Sequence, residues 1–304
     1  MDDARQREID TLVADLGGLL TAERAATTLV RHGTAAIGPL RRFLLGGRPS
    51  HLFQPRRWAV RALGALGAVD VLIDYLRHQP HIADDEIRFG EEVVQGEAAL
   101  QLAAWDDAGV TDALLEVARR RTIPGVIEAL GRLRVAAALP LFVRALEDDF
   151  SSPAAVRALT DLGRGALGAL VEAASSATPD AEDESAMSVR RRRRALEILE
   201  AVGIDAEAWR RLRTLLADRD PEVRVKVARL ALAACARRDA PRAVEALLAA
   251  IAGAPSFLAD EIEDALVRFA EAGVLDVGHE VRARAGAADD PVVRALRRVT
   301  RRLG

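Results

Sequence analysis

Apolar residues recur along the chain at helical spacing, in a phrase that is clearest as RRWAVRALGALG at 56–67, where Ala59, Leu63 and Leu66 mark one face. Degraded copies follow the same pattern: AERAATTLVRHG (22–33), PGVIEALGRLRV (124–135), SPAAVRALTDLG (152–163) and RRALEILEAVG (193–203). Weaker ones are GEAALQLAAW (96–105), PEVRVKVARLALAAC (221–235), IEDALVRFAEAG (262–273) and DPVVRALRRVTRRLG (290–304). Each clear copy ends at a glycine or similar breaker, as a helix C-terminus requires. A second amphipathic stretch follows within a few residues, for example AVDVLIDYLRH (68–78) and PRAVEALLAAI (241–251). Pro221 and Pro291 stand where a first helical residue would, each behind an aspartate able to cap the helix.

Superposing the phrases aligns Leu29, Leu63, Leu102, Leu130, Leu159, Leu199 and Phe269, with steps of 34, 39, 28, 29, 40 and 70 residues, the last covering two units. Repeats with a fixed turn motif hold their period, whereas paired-helix repeats of variable length belong to the HEAT and armadillo group. The phrases RDPEVRVKVARLAL, DDPVVRALRRV and RRWAVRALGALG carry the pattern Asp-Pro-x-Val-Arg, then alanines, then Leu-Gly-x-Leu-Gly. This resembles bacterial HEAT repeats, above all the PBS-lyase-like subtype, over nearly the full length. The resemblance implies an all-α, α-α superhelix: a HEAT-repeat solenoid of about eight helix pairs plus terminal helices. A solenoid grows by stacking units and need not divide, so residues 1–304 are expected to form a single domain. The polar insertion SATPDAEDESAMS at 176–188 offers a soft joint or, more simply, a tolerated loop.

Composition agrees with an all-helical chain: half the residues are hydrophobic, only 4% are aromatic, and alternating β-branched runs are scarce. The net charge of −3 supplies no field that would recruit nucleic acid. Of the 43 basic residues only Lys226 is lysine, a bias of the whole chain rather than the mark of a site. The run Arg190–Arg194 points around a helix circumference, with Asp180, Glu182, Asp183 and Glu184 just upstream, and reads as a solvated face. Of Arg294, Arg297, Arg298, Arg301 and Arg302 on the last helix, the spacing places several on one face, and they read as the polar outer side of a terminal repeat. Trp105 and Trp209 align with core positions, Tyr75 is expected to be half exposed, and the lone His279 to lie on the surface.

The single cysteine, Cys235, excludes an intramolecular disulfide and a cysteine zinc cluster. The N-terminus has no basic region followed by an apolar core, and no apolar run approaches about 18 residues, so the expected compartment is the cytoplasm. No Gly-rich phosphate loop, G-x-S-x-G, H-E-x-x-H or Cys-His pairing is present, and neither a catalytic residue nor a cofactor is expected. His78 and His81 with Asp84 and Asp85 invite a metal reading, but Pro80 stands between the histidines and disfavours a helix there; no metal is expected.

The segment that departs most from the repeat is HQPHIADDEIRFGEEVVQG at 78–96, read as a long connection rich in acidic groups with Phe89 as an apolar anchor for a basic partner. The expected partner-binding residues are Arg56, Arg57, Trp58, Tyr75, Arg77, His81, Arg88, Phe89, Glu91 and Glu92. By resemblance, the second helices line a concave surface carrying mixed charges such as Asp74, Arg77, Glu116 and Arg211. The expected function is therefore a non-catalytic scaffold or adaptor that holds a protein or peptide on that surface. Two alternatives are a nucleic-acid-binding protein of the HEAT-like alkylated-base glycosylase type and a bilin lyase or chromophore-attachment chaperone. Nucleic acid is disfavoured by the mixed charge, and no membrane partner is expected.

Overall fold

The computed structural model describes residues 3–18, 20–78, 80–180, 183–233, 238–284 and 290–304; Cys235 and Glu182 lie outside them. The fold is all-α. Among the described residues the one sheet is a two-residue antiparallel ladder of β1 (Pro179–Asp180) and β2 (Asp183–Glu184), inside the inserted 176–188 segment. None of the described helices is long and apolar enough to cross a membrane. The chain divides into two compact units, Met1–Asp161 and Leu162–Gly304, so the division falls ahead of that segment.

Unit 1 contains α1 (Asp3–Asp15), α2 (Ala22–Arg31), α3 (Ile37–Arg41), α4 (Gln54–Ala65), α5 (Val69–Arg77), α6 (Asp85–Leu102), α7 (Ala108–Arg120), α8 (Pro124–Arg132), α9 (Leu139–Ala145) and most of α10 (Ser152–Leu162). The first helices of successive repeats form one layer, in which α4 packs between α2 and α6, and α6 packs on α8. The second helices form another, with α5 against α7. Unit 2 repeats the scheme with α11 (Leu167–Ser175), α12 (Ala186–Val202), α13 (Ala206–Leu212), α14 (Pro221–Ala233), α15 (Ala240–Ile251), α16 (Ser256–Glu271), α17 (Val277–Ala283) and α18 (Pro291–Leu303). There α14 packs between α12 and α16, α16 packs on α18, and α11 lies against α12 and α13.

The aligned residues Leu29, Leu63, Leu102, Leu130, Leu159, Leu199 and Phe269 are all fully buried, which makes the repeated phrase a stacking code. Asp220 and Asp290 cap their helices as their sequence context requires, accepting from Val223 N and Val292 N at 2.9 and 2.8 Å. After the first helices the chain turns through the left-handed region at Gly33, Gly67, Gly163, Gly203 and Gly273. At the corresponding position behind α8 the sequence supplies Arg134, at φ 50°, without the relief glycine gives. Close stacking has its own glycines: a Cβ on Gly125 would lie 2.4 Å from the Cα of Gly96, so α6 and α8 approach almost backbone to backbone.

Charged residues bridge neighbouring repeats in both layers. Between first helices, Glu97 holds Arg57 and Arg61 at 2.9 and 3.0 Å, Glu128 holds Arg157 at 3.4 Å, and Glu197 holds the buried Lys226 at 2.7 Å. Glu200 binds Arg229, which also reaches Glu261, and Glu263 and Asp264 bind Arg298 and Arg302. Between second helices the pairs are Arg41 with Asp74, Arg77 with Glu116 and Arg211 with Glu172. The mixed charges read from the sequence as a partner's imprint are thus largely matched inside each unit.

Three expectations change. The 78–96 segment is mostly helix, because Asp84 accepts from Glu86 N and Ile87 N and starts α6 at Asp85. Tyr75 is completely buried rather than half exposed, whereas Trp105 is 42% exposed, resting against Gly67. Trp209 is buried, its indole N–H donating to Asp239 Oδ2 at 2.8 Å.

Candidate functional site

Three of the residues singled out in the sequence meet inside unit 1. Arg56, near the start of α4, forms a two-pronged pair with Glu91 of α6: Nε to Oε2 at 3.0 Å and Nη2 to Oε1 at 2.9 Å. Its remaining donors reach the carbonyls of Leu44 (2.9 Å) and Gly47 (3.3 Å) at the end of the preceding repeat. Tyr75 of α5 donates its hydroxyl to Glu91 Oε1 at 2.7 Å. Arg56 and Glu91 are 4% and 3% exposed, so all three are interior residues and present no surface to a partner. Burial works against the charge of Arg56, but Tyr75 and Glu91 outweigh it and raise its pKa. Burial, and then the Glu91 carboxylate, push the Tyr75 phenol well above its ordinary range.

The others spread over the unit. Arg57 joins the Glu97 pair, and Trp58 lies under the Arg61 guanidinium, 5.0 Å from its ring centroid. Arg77 is taken by Glu116, and His81 is exposed in the connection before α6. Arg88 pairs with Asp85 at 2.7 Å, and Glu92 lies 3.7 Å from Arg121, which also donates to the buried Gln95. Phe89 is 53% exposed and meets Phe150, 73% exposed and adjacent to the start of α10, edge to face with centroids 6.2 Å apart. Phe150 had no signal of its own, since the contact spans two repeats.

In unit 2 the arginine run is not a solvated face. Arg192 is buried, binding Glu184 at 2.5 Å, Asp218, and the carbonyl of Ala174 at 2.9 Å. Arg193 binds Asp220 and Glu222, each at 2.5 Å. These arginines tie the inserted segment and the α13–α14 connection to α12.

The other concentration of positive charge is a cleft of about 690 Å³ against α17 and α18, lined by Gly278, Val281, Arg282, Arg294, Arg297, Arg298, Thr300 and Arg301. Positions 294, 297, 298 and 301 share one face of α18 because they are three and four residues apart, and Arg282 joins them from α17. Among the described residues no carboxylate lines the cleft. Arg298 is committed to Glu263, whose hydrogen bond raises the arginine's pKa despite partial burial. Arg282, Arg297 and Arg301 carry no ion pair among the described residues. The sequence showed the α18 face; it did not show Arg282, which enters only when α17 folds against α18.

No family model and no curated protein matches the chain. Among solved structures, it is similar to human deoxyhypusine hydroxylase in complex with glycerol, at 18% identity over 91% of this chain and 97% of that one, with a TM-score of 0.30. That neighbour is named as an enzyme, and the expectation of a non-catalytic scaffold is corrected on that finding. The likeness is too slight to bring the neighbour's chemistry to this chain.

Proposed function

We propose that this helical-repeat protein binds a small phosphate-bearing molecule in the arginine-walled cleft of α17 and α18. The observation that supports the reading is the lining: five arginines and, among the described residues, no carboxylate. The like-charge pair at (i, i+4), Arg297 with Arg301, costs a helix roughly 0.2–0.5 kcal/mol. A polyanion would relieve that repulsion and accept bidentate bonds from the guanidinium groups. The volume lies within the range of small-molecule sites, and Val281 and the arginine methylenes suit a ligand with an apolar or planar portion. The repeat itself we read as the PBS-lyase-like HEAT subtype, on the phrases Asp220–Arg224 and Asp290–Arg294, and the compartment as the cytoplasm, on the single cysteine.

Calorimetric titration with pyrophosphate, ATP and a single-stranded oligonucleotide tests this. Pyrophosphate and ATP are expected to bind one per chain, and Arg297→Glu/Arg301→Glu to abolish binding, while Arg302→Ala, outside the cleft, leaves it intact. Binding of the oligonucleotide alone, with a salt dependence covering many phosphates, would replace the small ligand with nucleic acid. No binding of any of them at low salt would end the proposal.

A further inference from the structure

Unit 1 carries a second surface of opposite character. Two phenylalanines from different repeats, Phe89 on α6 and Phe150 just before α10, stand in edge-to-face contact while both remain more than half exposed. Packing of the unit does not require this, because both rings lie outside its core. Asp85 and Glu92 stand four residues before and three after Phe89, on the same side of α6. Glu86 follows Asp85 in the first turn, and Asp148 and Asp149 immediately precede Phe150. Basic groups beside this surface include Arg88, on Asp85 at 2.7 Å, Arg121, 3.7 Å from Glu92, and His51, 3.5 Å from Glu86. The Arg88–Asp85 and His51–Glu86 pairs are exposed and therefore weak, and a competing cation exchanges with them readily.

We propose that the Phe89–Phe150 pair is the seat of an arginine- or lysine-rich segment of a partner protein. An arginine stem packs on the apolar rings, its guanidinium stacks over a π face, and the flanking carboxylates of Asp85 and Glu92 receive its N–H groups. Charge selects this occupant: an uncharged apolar segment would cover the rings but strip water from several carboxylates without replacing their bonds. An acidic segment would be repelled. The proposal is independent of the phosphate cleft, whose ligands carry the opposite sign.

Fluorescence anisotropy with labelled octa-arginine as probe, on the full chain, tests it. Octa-arginine bound by non-specific charge alone would be indifferent to the rings, so the deciding variants hold charge constant. Phe89→Ala and Phe150→Ala are expected to weaken binding about three- to fivefold each, and Asp85→Lys more strongly, with helical circular dichroism unchanged. Because both rings are exposed, these substitutions leave the core intact. Phe89→Leu separates area from π character: it keeps apolar surface but loses the cation–π part, and is expected to fall between wild type and alanine. Equal binding by wild type and both alanine variants would overturn the proposal. So would a concentration-dependent dimer that Phe150→Ala disperses while octa-arginine fails to compete, which would assign the surface to a second copy of the chain.

Discussion

Tyr75 donates to Glu91 Oε1 at 2.7 Å, on the same carboxylate oxygen that Arg56 Nη2 approaches to 2.9 Å. Three successive elements of unit 1 are thereby joined at one buried carboxylate, and Arg56 extends the junction to the carbonyls of Leu44 and Gly47. An unpaired charge at such a place has no water to turn to, so the parts of the network are unequal in what their removal costs.

Arg56→Met is expected to destabilise unit 1 by about 3–5 kcal/mol, because it leaves Glu91 buried without its cation. Tyr75→Phe removes one neutral donor and is expected to cost about 1–2 kcal/mol. The double variant Arg56→Met/Glu91→Leu should recover a good part of the first loss. Urea unfolding followed by circular dichroism compares the three. The phenol also gives a signature in pH: its folded pKa lies above the unfolded one, so its contribution is whole below the unfolded value near ~10. It is lost as pH rises from there through the folded pKa. The alkaline decline in stability should be shallower in Tyr75→Phe; an identical decline would contradict the assignment.

Glu97 contributes on the acid side. Burial pushes its carboxyl upward, but the hydrogen bonds from Arg61 and Arg57 prevail and hold it below the ordinary carboxylate range. A depressed carboxylate contributes stability above its unfolded pKa and loses it as pH falls through the folded value. Glu97→Gln is therefore expected to lower stability at pH 7 by about 1–2 kcal/mol and to flatten its loss in acid. Melting temperatures between pH 7 and pH 3 would show both effects together or neither.

Arg134 occupies a backbone conformation that glycine supplies at five comparable turns. Arg134→Gly is expected to stabilise the protein by about 1 kcal/mol through release of left-handed strain. The opposite change, Gly67→Ala, is expected to destabilise, the more so because its Cβ would meet the Trp105 ring at 3.4 Å. Differential scanning calorimetry should move in opposite directions for the two, and a lower melting temperature for Arg134→Gly would refute the strain.

Repeat register was legible because burial every three to four residues leaves a trace in a single strand of text: the seven aligned positions are all core. The start of α6 was missed: Asp84, Asp85 and Glu86 are its cap and acidic first turn, but their polarity made the segment resemble a loop. The sites were less legible than the register, since each depends on partners a repeat or more away. Nothing local distinguishes Arg56, sealed against Glu91, from Arg88, which is exposed with Asp85. Phe150 and Arg282 likewise gain meaning only from Phe89 and from α18.

The bridges between neighbouring helices bear on how such a chain can change over generations. Leucines and alanines stack with almost any neighbour, so the core alone would let repeats be duplicated, deleted or reordered at little cost. The charges are specific: Glu97 awaits arginines at 57 and 61, Lys226 answers Glu197, and Arg298 answers Glu263. Most of these bridges run one way, from a carboxylate on the earlier first helix to a cation on the later one, as in Glu128–Arg157, Glu197–Lys226 and Glu263–Arg298; α6 reverses the order, with Glu97 facing the arginines of α4. A repeat moved into the place of α6 would leave Arg57 and Arg61 without their carboxylate, so that repeat is tied to its neighbour by its ion pairs rather than by its hydrophobic layer.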